Sequence, residues 1–304
     1  MDFRVTRAEP MGSMVNMGEP TAAQGKEPQS GPVECVKPNF SADAFAGTAA
    51  YYVRYRVPYP EGLLRALLDA SAVTGEGRLL DLACGPGRVA LDLAPSFREV
   101  CAIDLEPEMI EAGQREAARR GVQRITWKIG RAEDLEAPPD SFELITIGAA
   151  FHRLDQQLIA ARSLRWLKPG CRLATLGSHS VLGGKERWQQ AVADVVHRWT
   201  KRRSKSDECA EPRLPGSGPE HFESVLREAG FVDVSSYTLV QPHDWTVETV
   251  LGFLHSTSVC SKAVLGKNAE LFESDLKATL LGHDPSGTYH ESTQWGFTTG
   301  RKPS

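Results

Sequence analysis

Between residues 60 and 178 the chain switches strictly back and forth between short apolar runs and amphipathic helical patterns, and few folds accept that order. The apolar runs, Arg78 to Ala83, Val100 to Asp104, Ile125 to Ile129, Glu143 to Gly148 and Cys171 to Ser178, suit strands buried on both faces. Helical spacing fills the gaps at Pro60 to Ala72, Arg88 to Ala94, Pro107 to Arg120 and Asp155 to Leu167, the last closed by Lys168-Pro169-Gly170. Strand and helix in alternation give crossover connections and a parallel sheet covered by helices on both faces. The predicted class is α/β.

Beyond residue 178 the order loosens. Leu182 to Arg203 carries the stripe of an added amphipathic helix, Ser204 to Gly218 is a polar loop, and Pro219 to Ala229 is a helix ended by Gly230. Phe231 to Val240 suits a sixth strand, Val247 to Leu281 a second helical insertion, and Thr288 to Thr299 a last strand with one solvated face. The expectation is one seven-stranded, mostly parallel sheet whose last strand runs antiparallel. Cap insertions at about 182–218 and 241–284 would stand over its carboxyl edge, where open α/β sheets bind ligands. Residues 41–304 would form this domain, and residues 1–40, rich in Gly, Pro, Gln, Glu and Ser, a mobile tail.

Charge narrows the partners. With 35 Lys and Arg against 39 Asp and Glu the formal net charge is −4, which supplies no general attraction to phosphate. One basic stripe, Arg198 to Lys205, falls at the expected end of a helix, where the dipole favours cations. The six cysteines form no CxxC pair and three lie in or beside strand runs, a pattern of reduced core thiols that implies neither zinc nor disulfides. No apolar run reaches the length of a membrane span, and the N-terminus lacks the apolar core of a signal peptide. The expected setting is cytoplasmic, with a small-molecule substrate, no nucleic-acid, membrane or metal partner, and a homodimer left open.

The strongest local signal is Leu79-Leu80-Asp81-Leu82-Ala83-Cys84-Gly85-Pro86-Gly87-Arg88, a strand running into a glycine turn and a helix. Gly85 and Gly87 let the backbone turn sharply and come close to a ligand. The helix that follows offers free amides and its positive end. Asp104 ends the second strand, placed to accept hydrogen bonds from ribose hydroxyls. Gly85-x-Gly87-x-x-Ala90 also satisfies the dinucleotide fingerprint, so an NAD-dependent oxidoreductase is a rival. Asp81 weighs against it: a carboxylate four residues before Gly85 suits an amino-acid ammonium and would repel a pyrophosphate. Gly130 to Leu135 places polar groups where an adenine pocket needs them, and no second nucleotide-binding half follows.

Asp81 to Arg88, Asp104-Leu105-Glu106-Pro107-Glu108-Met109 and Ala132-Glu133-Asp134-Leu135 resemble the successive motifs of class I S-adenosylmethionine (SAM)-dependent methyltransferases, with similarity from about Phe45 to Pro303. The resemblance implies a Rossmann-like fold and SAM as cofactor. It places Ala83, Gly85 and Gly87 at the methionine and ribose, Asp104 at the ribose diol, Leu105 and Met109 on adenine, and Ala132 with Glu133 at the adenine edge. At Arg131 the family more often carries an acidic residue, which leaves the partner of the adenine amine open. Ala50-Tyr51-Tyr52-x-x-Tyr55-Arg56-x-Pro58-Tyr59-Pro60 is similar to the N-terminal signature of small-molecule enzymes of the trans-aconitate methyltransferase type, in which an aromatic and an arginine, here Tyr55 and Arg56, lie over the donor. Phe151-His152-Arg153-Leu154-Asp155 and Gly300-Arg301-Lys302-Pro303 resemble stretches of the same group.

For the acceptor, the motif-bearing candidate is His152, just past the fourth strand, as a base or as a group that orients the substrate. Asp155 reads first as a helix N-cap and second as an acceptor contact. Tyr59, His243 and Trp245 are the other candidate substrate contacts. Cys84 is small-residue packing at the loop. The Asn-Pro-Pro-Tyr type of motif is absent, Ile147-Gly148-Ala149-Ala150 standing in its place, which argues against nucleic-acid and peptide-amide acceptors. The plan resembles tailoring methyltransferases of antibiotic pathways, among them aminoglycoside N-methyltransferases of gentamicin assembly. A polycationic sugar calls for carboxylates, with Asp155, Asp244 and Glu248 as candidates. O-methylation of a small carboxylate or hydroxyl acceptor and a non-enzymatic SAM-binding regulator stand as alternatives.

Overall fold

The computed structural model describes residues 5–7, 45–178, 181–201 and 218–304. In chain order the elements are β1 (Thr6–Arg7), α1 (Ala49–Tyr55), α2 (Glu61–Ser71), β2 (Arg78–Leu82), α3 (Arg88–Leu93), β3 (Glu99–Asp104), α4 (Pro107–Arg120), β4 (Ile125–Ile129) and β5 (Phe142–Gly148). There follow α5 (Gln156–Trp166), β6 (Leu167–Ser178), α6 (Arg187–Lys201), α7 (Pro219–Glu228), β7 (Val232–Thr246), α8 (Val247–His255), α9 (Lys262–Leu265), α10 (Ala269–His283) and β8 (Thr288–Arg301).

Local chemistry sets several of these bounds. Pro107 opens α4 with φ already fixed for a helix, and Gly121 closes it in the left-handed conformation (φ 70°), donating its amide to Ala117 and Ala118. Asp155 caps α5 by accepting the Leu158 amide at 3.2 Å. Thr246 and Thr249 form a reciprocal capping box that starts α8.

One sheet holds eight strands in the order β1-β7-β8-β6-β5-β2-β3-β4. β4, β3, β2, β5 and β6 are parallel neighbours, while β8 runs antiparallel between β6 and β7. The count exceeds the expected seven because Thr6 and Arg7 pair antiparallel with Thr238 and Tyr237 of β7. Arg7 adds contacts to Asp233 and Ser235. The expected tail is corrected at residues 5–7, which lie on the sheet edge; its remainder is outside the described residues, as is most of the basic stripe from Arg198 to Lys205.

The layers follow from the burial stripes. Leu63, Leu64 and Leu67 of α2 pack with Val89 and Leu93 of α3 and Ile110 of α4 on one face. Each such side chain contributes roughly 1.5–3 kcal/mol when fully buried. Ile159 and Trp166 of α5 pack with Val225 and Leu226 of α7 on the other face. A third core lies in the cap, where Trp188, Val192 and Val195 of α6 meet Val250 and Leu254 of α8 and Phe272, Leu276 and Leu280 of α10. The two insertions thus share one core.

The boundary of the second insertion is corrected. β7 and β8 remain paired out to Thr246↔Thr288, whereas β6 leaves β8 at Ser178↔Trp295. A two-stranded ribbon therefore projects beyond the carboxyl edge of the sheet, and α8, α9 and α10 hang from its tip. His243 and Trp245, expected inside an insertion starting near 241, are strand residues of this ribbon. Their alternation with exposed Val240 and Asp244 is the period of two that a ribbon with one covered face requires.

Candidate active site

β2 and β5 lie side by side in the middle of the sheet, and both end in strained turns. Ala83 (φ 51°), Gly85 (φ 55°) and Gly87 (φ 72°) carry the chain from β2 into α3, and Ala149 (φ 53°) turns it out of β5. Left-handed alanines at two adjacent strand ends are the kind of strain that clusters at functional sites. The Gly85 amide donates to Asp104 Oδ2 at 2.7 Å, and the Glu106 amide to Asp104 Oδ1 at 2.9 Å. Burial raises the Asp104 pKa, and the backbone amides of Glu106, Gly85 and Leu105 pull it back. A carboxylate has about four lone-pair sites, so Asp104 keeps acceptor capacity for a diol beside the glycine turn.

Asp81 is not available in the way the sequence implied. It is 1% exposed, and its two oxygens accept from Thr146 Oγ1 (2.8 Å) and the Ala90 amide (3.2 Å). Burial pushes its pKa up to about 7, against those two hydrogen bonds. The carboxylate ties α3 to β5 and presents no open face to a ligand.

α1 lies over the turn. The nearest atom to a Cβ built on Gly85 is Tyr52 Cζ at 4.0 Å, so the space beside Gly85 is roofed by that ring. Met109 is buried to 3% beneath α1, packed with Ala49, Ala112, Phe45 and Tyr52. On its far side α1 is fastened to the cap. Arg56 Nε donates to Ser256 Oγ at 2.8 Å, with its guanidinium over the rings of Tyr52 and Phe253. Tyr55 Oη donates to Glu248 at 3.0 Å and its ring fills the space above Gly252. Tyr55 and Arg56 therefore clamp the roof.

Toward the β4 side, Leu105 is 38% exposed at the end of β3, Ala132 is buried, and Glu133 accepts the Asp155 amide at 3.2 Å while pairing with Arg131. Trp127 of β4 was not singled out from the sequence. Its ring abuts both Gly87 and Gly113, so that a Cβ on Gly87 would come within 2.2 Å of Trp127 Cη2. The available signal was its shared face with Ile125 and Ile129.

Past β5, the turn Phe151–Arg153 carries His152. Burial and the neighbouring Arg153 charge lower its pKa to about 4, so the imidazole is neutral at pH 7. Its ring makes no hydrogen bond among the described residues. Arg153 extends across the site, with its guanidinium over Phe45 and Nη1 3.5 Å from Ser258 Oγ. Tyr59 packs edge-on against Trp295 at 5.3 Å, its hydroxyl 3.0 Å from the place a Gly148 Cβ would occupy, and burial raises its pKa. Tyr59 and Gly148 thus meet at the end of β5, with His152 four residues past Gly148 on the turn that follows.

The three carboxylates expected near a cationic acceptor are all engaged elsewhere. Asp155 is the α5 cap, Asp244 binds His290 at 2.6 Å on the exposed side of the ribbon, and Glu248 binds Arg54 and Tyr55. Trp245, expected as a substrate contact, is buried to 2% in the cap core, with His243 edge-on beside it at 4.6 Å. Among the described residues no group of His, Cys, Asp or Glu could hold a metal, and no helix is long and apolar enough to cross a membrane.

Residues 79–170 match a family described as a methyltransferase domain. The uncharacterized methyltransferase YcgJ of Bacillus subtilis is 32% identical over 101 residues, 33% of this chain and 40% of that protein. Its crystal structure superposes with a TM-score of 0.53 at 17% identity, covering 81% of this chain and 100% of that one, a likeness of fold. The demethylmenaquinone methyltransferase of Clavibacter sepedonicus is 31% identical over 174 residues, 55% of this chain and 70% of that protein. The nocamycin O-methyltransferase of Saccharothrix syringae is 28% identical over 208 residues, 62% of this chain and 71% of that protein.

Proposed function

Since the chain belongs to the class I SAM-dependent methyltransferases, we propose that it methylates an amino group of a small natural product, an amino sugar of the aminoglycoside kind. The residues at the carboxyl edge fit the cofactor. Gly85 leaves open space under Tyr52, Asp104 is held by two amides with acceptor capacity to spare for a ribose diol, and Leu105 stands exposed beside it for a planar base. Bound SAM supplies a methyl on a sulfonium, whose carbon–sulfur bond breaks as a bond to the acceptor forms, leaving the thioether S-adenosylhomocysteine.

The residues of the chain supply position. Closing the donor under α1 and holding the acceptor against the β5 end provides effective concentration, worth up to roughly 7–11 kcal/mol in favourable cases. In this reading His152 carries the acceptor half: a neutral imidazole without a hydrogen-bond partner among the described residues, on the turn that follows β5. An imidazole near pKa 4 taking a proton from an alkylammonium near 10 is uphill by roughly 8 kcal/mol. His152 therefore orients the acceptor by accepting a hydrogen bond from its N–H, and the proton displaced by methylation leaves to solvent.

A second reading, O-methylation of a hydroxyl or carboxyl acceptor, draws on the similarity to nocamycin O-methyltransferase and on the same imidazole, which accepts from O–H as readily. Incubation with SAM and a panel of amino sugars, phenols and carboxylic acids separates the two. A methyl mass gain on amines only supports the first reading, and a gain on hydroxyl or carboxyl acceptors only replaces it.

A further inference from the structure

The inner face of the β7–β8 ribbon carries a polar layer between two apolar ones. At the sheet end are Leu239 and Trp295, the latter against Tyr59; at the cap end are Trp245 and Tyr289, both buried. Between them, on the same face by the period of two, His243 stands opposite Glu291. Thr293 Oγ1 donates to one Glu291 oxygen, and Gln189 of α6, itself buried to 3%, donates to the other. Glu291 and His243 remain half-buried, so solvent reaches the layer.

Both oxygens of this half-buried carboxylate accept from neutral donors, and a cation beside it would add a charge-assisted hydrogen bond. Among the described residues none lies within ion-pair distance of Glu291, and burial lowers the pKa of His243, its nearest titratable neighbour on β7, which keeps that ring neutral at pH 7. Outward-facing Asp244 is taken by His290. Beside the layer, the Trp245 indole Nε1 is buried with no hydrogen-bond partner, an unmet donor within the ribbon wall. Glu291 is four residues from Trp295, about 14 Å along a strand that rises about 3.4 Å per residue. A ligand bridging that span would reach from the Tyr59–Trp295 contact near the end of β5 to the carboxylate.

We propose that Glu291, held by Gln189 and Thr293 and flanked by His243, is an ammonium-binding subsite of the acceptor cleft, engaging a second amino group of a polyamino acceptor at a distance from the one methylated. It rests on the amine reading above. The charge selects acceptors with two or more separated amines, and the neighbouring neutral donors suit hydroxyls on the same scaffold.

The test uses kanamycin A as the polyamino probe, binding to the full chain with S-adenosylhomocysteine present and followed by calorimetry. Glu291→Gln, which keeps the size and removes the charge, should weaken kanamycin binding at least tenfold while SAM affinity stays within twofold. Glu291→Asp should restore part of the loss. Equal kanamycin affinity in wild type and Glu291→Gln overturns the subsite and leaves the amine reading standing. Wild-type protein that binds no kanamycin overturns the subsite, and if it also methylates no amine of the panel the amine reading falls with it. Loss in both Glu291→Gln and Glu291→Asp together with a lowered melting temperature would mark Glu291 as a structural brace and overturn the proposal.

Discussion

Gly87→Ala gives the sharpest test of how the donor turn is built. Gly87 sits at φ 72°, and an added Cβ would lie 2.2 Å from Trp127 Cη2 and 2.7 Å from Cζ3. Placing a non-glycine residue there costs about 1–2 kcal/mol from the backbone. Carbon contacts relax near 3.5 Å, so the indole must also retreat by about 1 Å, an overpacking that costs about 1–3 kcal/mol. The sum, about 2–5 kcal/mol, should appear as a lower urea midpoint at an unchanged slope. Because the Gly87 turn also sets the Gly85 amide against Asp104, SAM affinity measured by calorimetry should fall in the same variant. Trp127→Leu removes the obstructing ring, so Gly87→Ala in that background should retain only the backbone cost, giving a coupling of at least 1 kcal/mol. A Gly87→Ala protein within 0.5 kcal/mol of wild type, or additive effects in the double variant, refutes the argument.

Three further outcomes are expected. Asp104→Ala should weaken SAM binding at least tenfold with the fold retained, since charge-assisted hydrogen bonds to a diol are worth about 1.5–3 kcal/mol each, and unchanged affinity by calorimetry would remove Asp104 from the donor site. His152→Asn should keep turnover within about tenfold of wild type while His152→Ala loses about 100-fold, and the wild-type rate should show no histidine inflection between pH 6 and 7, because the ring titrates near 4. Asp81 has a folded pKa raised to about 7 from 3.8, so its contribution to stability is full at low pH and is lost as pH rises toward and through 7. Asp81→Asn should abolish that component, stabilising the protein at pH 8 relative to wild type by several degrees in melting temperature and by less at pH 4; an identical pH profile in both proteins counts against it.

The central alternation was legible because buried parallel strands and amphipathic helices have different periods. Ile125–Ile129 and Pro107–Arg120 agree with the sequence reading at both ends, the latter because Pro107 and Gly121 are chemical start and stop signals. The ribbon was not legible. Gln241 to Thr246 alternates like a strand with one wet face, yet contains Pro242 and leads straight into a helix, so its period was outweighed by its neighbourhood. Thr6–Arg7 was invisible for another reason: two residues carry no period, and their place depends on an edge built by residues more than two hundred positions away. At the site, Gly85, Gly87 and Asp104 could be read because turn geometry restricts residue type. Glu291 could not, since among 39 acidic residues nothing local distinguishes the one that folds beside Gln189 without a cation.

The donor and acceptor halves are held together differently, and α1 is the element they share. The proposed donor groups sit at the ends of central strands, where Asp81, Asp104 and Trp127 pin the turns. The proposed acceptor groups come from the turn after β5, which packs in the core under α5 and α7, and from α6 and the ribbon, whose tip belongs to the cap core. α1 packs Met109 on one side and reaches α8 through Arg56 and Tyr55 on the other. The Arg54–Glu248 pair in this clasp is 69% and 65% exposed, which places it with surface pairs worth about 0–1 kcal/mol. Buried contacts run from α1 in both directions: Met109 and Ala112 of α4 lie beneath it, and Gly252, Phe253, His255 and Ser256 on the cap side are buried against Tyr51, Tyr55 and Arg56. Parting α1 from α8 would uncover Gly252 and Phe253, and parting it from α4 would uncover Met109 and Ala112. Shifting α1 off either neighbour exposes buried surface, which couples the roof over the glycine turn to the cap.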